Sequence, residues 1–285
     1  MLKLALSCVA AACLAAIDAA SAADPGPGRP AAPPPFNWTG LYFGIAGGYG
    51  WSADRDGDTS LTPTTFDANI FPGIVDKAAT ALPRTLNSKF QGLLGGGQVG
   101  YNAQVGSLVF GAETDFLGGS LKGSDSRTGY TTITLLGTTV LPIDARIENK
   151  IDFLGTFRGR LGLDVVQGIM VYGTGGLAYG HVASAADTHD TPSGVFVNPA
   201  SGSAAATLTG WTVGGGFESA FGLGRNWSVK AEYLYYDLGH LGYSLSAATV
   251  TDIETHTGNY GTISTEVDSK VRGSIVRLGL NYRLY

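Results

Sequence analysis

Residues 37–51, "NWTGLYFGIAGGYGW", alternate large apolar side chains with glycine or alanine over most of their length. Counted with the two-residue period of a β-strand, one face carries most of the large side chains. These are Leu41, Phe43, Ile45, Tyr49 and Trp51. The opposite face carries Gly40, Gly44, Ala46, Gly48 and Gly50. The stretch predicts a strand that is apolar on one side and nearly empty on the other, so the rest of the sequence must explain what covers each side.

Similar runs recur along the chain, and together with the first they predict eight strands. The other seven are residues 90–102, 108–118, 150–163, 169–180, 211–221, 227–235 and 276–284. In the fourth strand, Ile151 and Phe157 fall on the apolar face. Lys150 and Asp152 fall on the opposite face with the other charged residues. The fifth strand has apolar residues on both faces, so its orientation stays open.

The connections between these strands alternate between about 25–36 residues and a handful of residues. The six prolines that follow residue 36 all lie in long connections, where no strand hydrogen bond is lost. Long loops at one end and tight turns at the other are typical of a transmembrane β-barrel. The predicted fold class is therefore all-β, an eight-stranded antiparallel transmembrane barrel with four long extracellular loops and three short periplasmic turns.

The 36 residues before the first strand have a different kind of sequence. Residues 1–22 have a basic start, an apolar middle and an Ala-x-Ala site, and they predict a secretory signal peptide. Its removal takes away Cys8 and Cys13, the two cysteines of the chain. Residues 23–36 hold six of the 12 prolines and predict an extended periplasmic leader. Residues 37–285 are then expected to form one barrel domain.

Composition favours sheets and argues against nucleic-acid binding. The chain has 43 glycines among 285 residues, 13 tyrosines and only 14% charged residues. Its net charge is −5 and it contains no basic run, so we expect no nucleic-acid partner. The string "GGGQVG" at residues 95–100 fits a dinucleotide motif, but no helix pattern follows it, so we expect no cofactor.

The cost of charge in lipid decides which face of each strand is inside. A lysine or arginine at the bilayer midplane costs about 2–4 kcal/mol, so the charged face must point into the barrel. An eight-stranded barrel is only wide enough for side chains to fill it. We therefore expect a closed lumen with an ion-pair network, to which glycines give room. Its predicted members are Glu113, Asp115, Asp152, Arg158, Arg160, Glu218, Lys230, Glu232 and Arg277, with Lys150 and Arg283 on the same face.

Aromatic side chains near the strand ends predict the two membrane interfaces, because such rings prefer the level of the lipid head groups. The predicted interface aromatics are Trp38, Trp51, Trp211, Trp227, Tyr235 and Tyr282. Basic residues near the outer rim give one hypothesis, from their position alone, of contacts to lipopolysaccharide phosphates, while ordinary solvated charges are the favoured alternative. These basic residues are Lys89, Arg146, Lys270 and Arg272.

Four blocks resemble a known family when they are taken in order. They are "WTGLYFGIAGGYGW", "GWTVGGGFE", "NWSVKAEYLYYDLG" and "VRLGLNYRLY". They look like the α-proteobacterial outer-membrane surface proteins of the OmpA-like β-barrel superfamily, which include rhizobial and Brucella major outer-membrane antigens. The resemblance covers nearly all of residues 37–285. It implies an outer-membrane barrel of a Gram-negative bacterium with roles in envelope integrity and surface interaction, and some members are described as porins.

The end of the chain departs from this family. Members commonly end in an aromatic residue that continues the outward series, whereas Tyr285 lies one step out of phase with Tyr282 and Leu284. The terminal signal that the outer-membrane assembly machinery reads is therefore expected to be shifted or weakened.

Catalytic and metal-binding patterns are weak. His181, His189, His240 and His256 all fall in or beside the long connections, without a nucleophile at a fixed spacing, so we expect no enzyme. Asp54, Asp56 and Asp58 resemble the start of a calcium loop. Thr59 and Thr65 stand where that loop needs glycine and glutamate, so no metal site is predicted.

Three functional hypotheses remain. The favoured one is a structural, surface-presenting barrel with a filled lumen, whose loops meet host or cell-surface ligands. The second is a small-solute porin. The third is a soluble lipocalin-like binding barrel, which would need apolar residues inside and polar residues outside.

Overall fold

The computed structural model describes residues 36–53, 59–67, 74–134, 138–190, 195–222, 225–252 and 259–284. The predicted signal peptide and the leader up to residue 35 lie outside these ranges. The same is true of the three aspartates of the calcium-like loop, of His256 and of Tyr285. The predictions made for these residues stay predictions.

The described chain is almost entirely β-structure, with one short helix. The elements are β1 (Gly40–Ser52), β2 (Thr59–Asp67), α1 (Ile74–Ala81), β3 (Thr85–Leu86), β4 (Gln91–Val105), β5 (Leu108–Thr134), β6 (Thr138–Val166), β7 (Ile169–Asp190), β8 (Val195–Val197), β9 (Ala200–Phe221), β10 (Trp227–Ser244), β11 (Ala248–Asp252) and β12 (Asn259–Leu284). Across these residues, no helix has both the length and the apolar character that a membrane span requires.

Eight long strands close into an antiparallel barrel, as the sequence predicts. Their order is β1-β4-β5-β6-β7-β9-β10-β12, and β12 pairs back onto β1. Phe43, for example, pairs with Val99 on one side and with Tyr282 on the other. The turns between β4 and β5 and between β6 and β7 are tight, and Gly106 and Gly168 adopt the positive φ that such turns need.

Side chains alternate between the two faces of the barrel wall. On β1, Leu41, Phe43 and Ile45 are exposed on the outside, whereas Tyr42 and Ala46 are buried inside. The outer surface therefore carries a broad apolar belt, which is the surface that lipid covers in a transmembrane barrel.

The fifth predicted strand, β7, now has a definite orientation. Val171 and Leu177 are exposed on the outside, and Met170 and Tyr172 are buried inside.

The strands extend much further than the predicted ones. β5 has 27 residues and β6 has 29, whereas about 9–11 tilted residues span a bilayer. Most residues of the predicted long loops therefore continue the sheet, and the first connection adds β2, α1 and β3. The extensions stay paired because they bury apolar residues such as Leu141 and Ile147 on the inner face.

Three register shifts divide the barrel wall into two parts. They lie between Gly118 and Leu121 on β5, between Ile151 and Phe153 on β6, and between Asp237 and His240 on β10. We call the part on the side of the tight turns the lower barrel. The part on the other side, with α1 and the short strands, is the upper barrel.

The shift on β6 corrects one prediction. Leu154 and Ile151 are both buried inside, although they are three residues apart. Because the extra residue Asp152 forms a bulge, the strand changes which side chains face inward at this point. Ile151 therefore does not lie on the outer face, where strict alternation from Phe153 places it.

Three apolar clusters fill the interior at different heights. The lowest contains Phe36, Trp38, Val109, Met170, Tyr172 and Ala220. The middle one includes Leu94, Leu117, Leu121, Leu154 and Ile275. The highest fills the upper barrel, where α1 contributes Val75, Ala78, Ala79 and Ala81. The apolar face of α1 thus packs against the inward-facing side chains of the upper barrel.

Candidate functional site

Eight charged side chains meet inside the lower barrel, and we call this group the lumen charge cluster. It consists of Glu113, Asp115, Arg158, Arg160, Glu218, Lys230, Glu232 and Arg277. All eight were assigned by the sequence to the inner face. The cluster has four basic and four acidic members, and each is at most 5% exposed.

Strand register brings these residues to the same height. Glu113 on β5 pairs directly with Arg158 on β6. On β10, Lys230 pairs with Glu218 of β9. Glu232, two residues further along β10, pairs with Arg277 of β12. Opposite charges are therefore already neighbours in the sheet before any contact forms across the lumen.

Arg158 links three acidic side chains across the lumen. Its guanidinium donates to Glu113, to Asp115 at 2.9 Å and to Glu232 at 3.0 Å. Arg277 donates to all three of the same groups, at 2.8 Å to Asp115, 2.6 Å to Glu232 and 3.3 Å to Glu113. Each of these carboxylates is shared between arginines, so the group is one network.

Lys230 and Arg160 complete this network. The Lys230 ammonium donates to both Glu113 oxygens at 2.7 Å. Arg160 donates to Glu218 at 2.6 Å. A buried ion pair is tolerated only with such multiple hydrogen bonds, because each charge has lost its water.

Two tyrosines that were not predicted from the sequence also belong to the cluster. The Tyr42 hydroxyl donates to Glu113 at 2.8 Å and accepts from Arg160 at 2.8 Å. The Tyr172 hydroxyl donates to Glu232 at 2.9 Å. Tyr42 had a usable signal, because it is the one large side chain among the small residues on the inner face of β1.

Glycines on β1 leave the space that the charged side chains occupy. A Cβ at Gly48 would lie 2.7 Å from the Arg277 Cβ and 2.4 Å from a backbone oxygen of β12. A Cβ at Gly44 would lie 2.2 Å from the Asn281 side-chain oxygen. The interior is therefore packed tightly against the bare backbone of β1.

Asp152 was predicted for the network, and the structure places it elsewhere. Its carboxylate pairs with Lys150 at 2.5 Å, and both side chains are more than one-third exposed. The bulge at Asp152 is the physical reason, because it turns Lys150 to the outer face of β6. Sequence alternation continued without a bulge puts both residues inside.

Trp38 was predicted as an interface aromatic, and this is wrong. Trp38 is 2% exposed and packs against Phe36 with ring centroids 4.8 Å apart. It precedes β1, so strand alternation does not govern it, and it lies in the lowest apolar cluster. Its indole N–H donates to Asp164 at 3.3 Å.

Arg283 also belongs to this lower end and not to the charge cluster. Its guanidinium donates to the Asn37 carbonyl at 2.7 Å and lies 4.3 Å from the centre of the Phe36 ring. Phe36, Trp38 and Arg283 form the floor of the barrel. The cavity between this floor and Glu218 has a volume of only about 10 Å³, enough for about one water molecule.

The other five predicted interface aromatics lie on the outer surface in two groups. Trp227 and Tyr282 contact each other near the tight turns, with ring centroids 4.9 Å apart. Trp211 and Tyr235 form a second pair near the register shifts, with ring centroids 5.4 Å apart. Trp51 lies against Tyr233 at 6.5 Å.

The described histidines are separate from one another and from the charge cluster. His181 stacks on Phe153 at 6.0 Å on the outer face. His240 contacts Asp268 at 2.7 Å. Among the described residues, no three histidine, cysteine or acidic side chains are grouped as metal ligands.

Sequence and structure comparisons place these features in context. The sequence model of the "Outer membrane protein beta-barrel domain" family matches residues 6–283. The chain is 34% identical over 260 residues to the 31 kDa outer-membrane immunogenic protein of Brucella melitensis, covering 90% of this chain and 89% of that protein. It is 33% identical over 156 residues to the 22 kDa outer membrane protein of Rhizobium leguminosarum, covering 54% and 57%. The outer membrane protein OprG of Pseudomonas aeruginosa aligns over 87% of this chain and 99% of its own at 12% identity, with a TM-score of 0.39.

Proposed function

Because the chain belongs to the outer membrane protein β-barrel family, we propose that it is a non-catalytic structural barrel of the outer membrane. In this proposal, the closed barrel contributes to envelope integrity and the upper barrel presents a surface outside the cell. The lumen conducts no solute.

The lumen charge cluster is the observation that carries this proposal. A conducting pore needs a continuous file of water, whereas here three arginines and one lysine are paired across the lumen and are at most 5% exposed. An aromatic floor lies below the cluster and an apolar layer lies above it. Both ends of the charged layer are therefore covered by side chains that water does not solvate.

The porin hypothesis makes the opposite prediction in a planar lipid bilayer. The purified full chain is added to the bilayer, and an established porin is added to a parallel bilayer as the positive control. We expect insertion without current steps. Reproducible single-channel steps of one size would overturn the closed-lumen proposal.

The lipocalin-like hypothesis fits the lower barrel poorly, because charged side chains fill the lower lumen and apolar ones cover its outside. A folded transmembrane barrel migrates faster on a gel before boiling than after it. We expect this shift for the membrane-extracted protein, and a single unshifted band from a soluble fraction would favour the lipocalin-like alternative.

The proposed partners are outer-membrane lipid, the assembly machinery and surface ligands of the upper barrel. Deletion of the gene tests the cellular role. We expect increased detergent sensitivity, reduced attachment to host cells, or both, and restoration of each by the full-length gene. A deletion strain that equals the parent in both assays would argue against the proposed role.

A further inference from the structure

Four neighbouring strands form an open cleft on the outer surface of the upper barrel. It has a volume of about 710 Å³. Three consecutive residues from each strand line it, namely 122–124 on β5, 148–150 on β6, 183–185 on β7 and 203–205 on β9. The cleft is separate from the lumen charge cluster, since its exposed side chains face away from the lumen.

One side of the cleft carries the charged residues Lys122, Lys150 and Glu148, and the other is made of small residues. Lys122 pairs directly with Lys150 across the strands, and the same row continues with Ala183 and Ala205. Directly opposite side chains have Cβ atoms about 4.5–5.5 Å apart, a distance at which like charges repel. The fold therefore keeps two repelling ammonium groups next to an open, small-walled space.

The two lysines differ in how far they are neutralised. Lys150 contacts Asp152 at 2.5 Å. Lys122 is exposed, and no acidic side chain lies within ion-pair distance of it in the described ranges. An anion in the cleft would relieve the repulsion and pair with Lys122.

The height of the cleft above the aromatic belt indicates where this anion comes from. Phe116, Phe153 and Tyr179 form a lateral row, with centroids 5.1 and 6.4 Å apart. Lys150 lies three residues beyond Phe153, or about 10 Å along the strand. With the strand tilt of about 35–45°, this corresponds to about 7–8 Å above the rings. That level is the head-group layer of the outer leaflet.

Two of the basic residues that the sequence assigned to the rim lie on the same face as the cleft. Lys89 is exposed two residues before Gln91, which pairs with Lys122. Arg146 is exposed on β6 and pairs with Glu148 of the cleft. Lys270 and Arg272 lie on β12, which is four strands from β6 in either direction around the ring.

We propose that this cleft binds the phosphorylated sugar head of lipopolysaccharide. Lys122 and Lys150 contact a phosphate, and the small-residue side formed by Ala183, Ala185 and Ala205 accommodates the sugar. This lipid site requires that the barrel lies in the outer membrane, but it does not require that the lumen is closed. Lumen conductance and lipid binding are measured separately, so either proposal fails without the other.

Binding of fluorescent bisphosphorylated lipid A to the detergent-solubilised full chain tests this proposal. The double variant K122Q/K150Q is compared with K77Q/R84Q, which removes the same charge from exposed residues of the first connection. Because both phosphate-binding ammonium groups are lost, we expect K122Q/K150Q to weaken binding by about tenfold or more. K77Q/R84Q should bind like the wild type.

A variant expected to bind more tightly distinguishes a specific site from a general loss of folding, because a misfolded protein would not gain affinity. Glu148→Gln removes an acidic group from the cleft and frees Arg146, so we expect affinity for lipid A to rise by about threefold or more. The heat-dependent gel shift confirms that each variant is folded.

Three results would overturn the proposal. The first is an equal loss of lipid A affinity in the cleft and control variants. The second is unchanged affinity when dephosphorylated lipid A replaces the bisphosphorylated form. The third is displacement of lipid A by inorganic phosphate at similar concentrations, which would assign the lysines to a free anion instead of the lipid.

Discussion

At the residue scale, β1 contains a matched pair of glycines that differ only in which face they occupy. A Cβ at Gly44 would lie 2.2 Å from a side-chain oxygen of Asn281, whereas a Cβ at Gly47 would meet only one oxygen at 3.8 Å. We expect Gly44→Ala to lower the free energy of unfolding by about 1–3 kcal/mol through overpacking. Gly47→Ala should change it by less than about 0.5 kcal/mol. Urea unfolding of the refolded protein in lipid vesicles measures both, and equal effects would contradict the assigned orientation of β1.

A second residue-scale prediction concerns the buried arginine that contacts three carboxylates. Arg158→Ala leaves Glu113, Asp115 and Glu232 with one fewer cationic partner in a site without water. Removing one member of a buried ion pair costs about 3–5 kcal/mol. Arg146→Ala is the control, because its pair with Glu148 is more than half exposed and such pairs contribute at most about 1 kcal/mol. Urea midpoints that shift equally in both variants would show that the cluster does not stabilise the barrel.

At the element scale, the segment before β1 acts as the floor of the barrel. Four single-tryptophan variants, each with the other three changed to phenylalanine, report on this arrangement. Brominated lipid should quench the fluorescence of Trp51, Trp211 and Trp227, because these side chains lie on the lipid-facing surface. It should leave Trp38 unquenched, since Trp38 is 2% exposed and packed on Phe36. Quenching of Trp38 as strong as that of Trp227 would place it in the girdle after all.

Helix α1 supports a second element-scale prediction. Ala78 is fully buried in the upper apolar cluster, and its neighbour Lys77 is exposed. Ala78→Asp introduces an unpaired charge into that cluster, so the upper barrel should open and become sensitive to protease on intact cells. Lys77→Asp should remain as resistant as the wild type. The lower barrel should keep its heat-dependent gel shift in both variants, because α1 lies outside it.

The limits of sequence reasoning also appear at the element scale. Strand positions and faces were predictable wherever alternation ran unbroken, as for Phe43, Phe157 and Arg277. Alternation could not reveal the bulge at Asp152, because no feature of the sequence there marks an extra residue. Beyond the bulge, the side chains that strict alternation places inside point outward, and the reverse. Trp38 failed for a related reason, since the two-residue period ends where the strand ends. The orientation of the fifth strand could be assigned only from its pairing with the neighbouring strands, because it has apolar residues on both the lipid face and the inner face.

At the scale of the whole molecule, the predicted loops turned out to be mostly sheet. Long polar connections look like loops in a sequence, whereas their backbone groups stay paired because neighbouring strands extend to the same height. Only the complete ring supplies these partners, so no single segment could reveal the extension. The same cooperation explains the lumen charge cluster, whose members come from five different strands.

The length of β5 and β6 has a consequence for immune recognition. Antibodies that bind the folded upper barrel will contact alternate side chains from adjacent strands, such as Ser124 beside Glu148, because the intervening side chains point inward. The epitopes are therefore discontinuous. A synthetic peptide copied from residues 122–132 displays both sets of side chains at once, so sera raised against it will favour the denatured protein over the folded one.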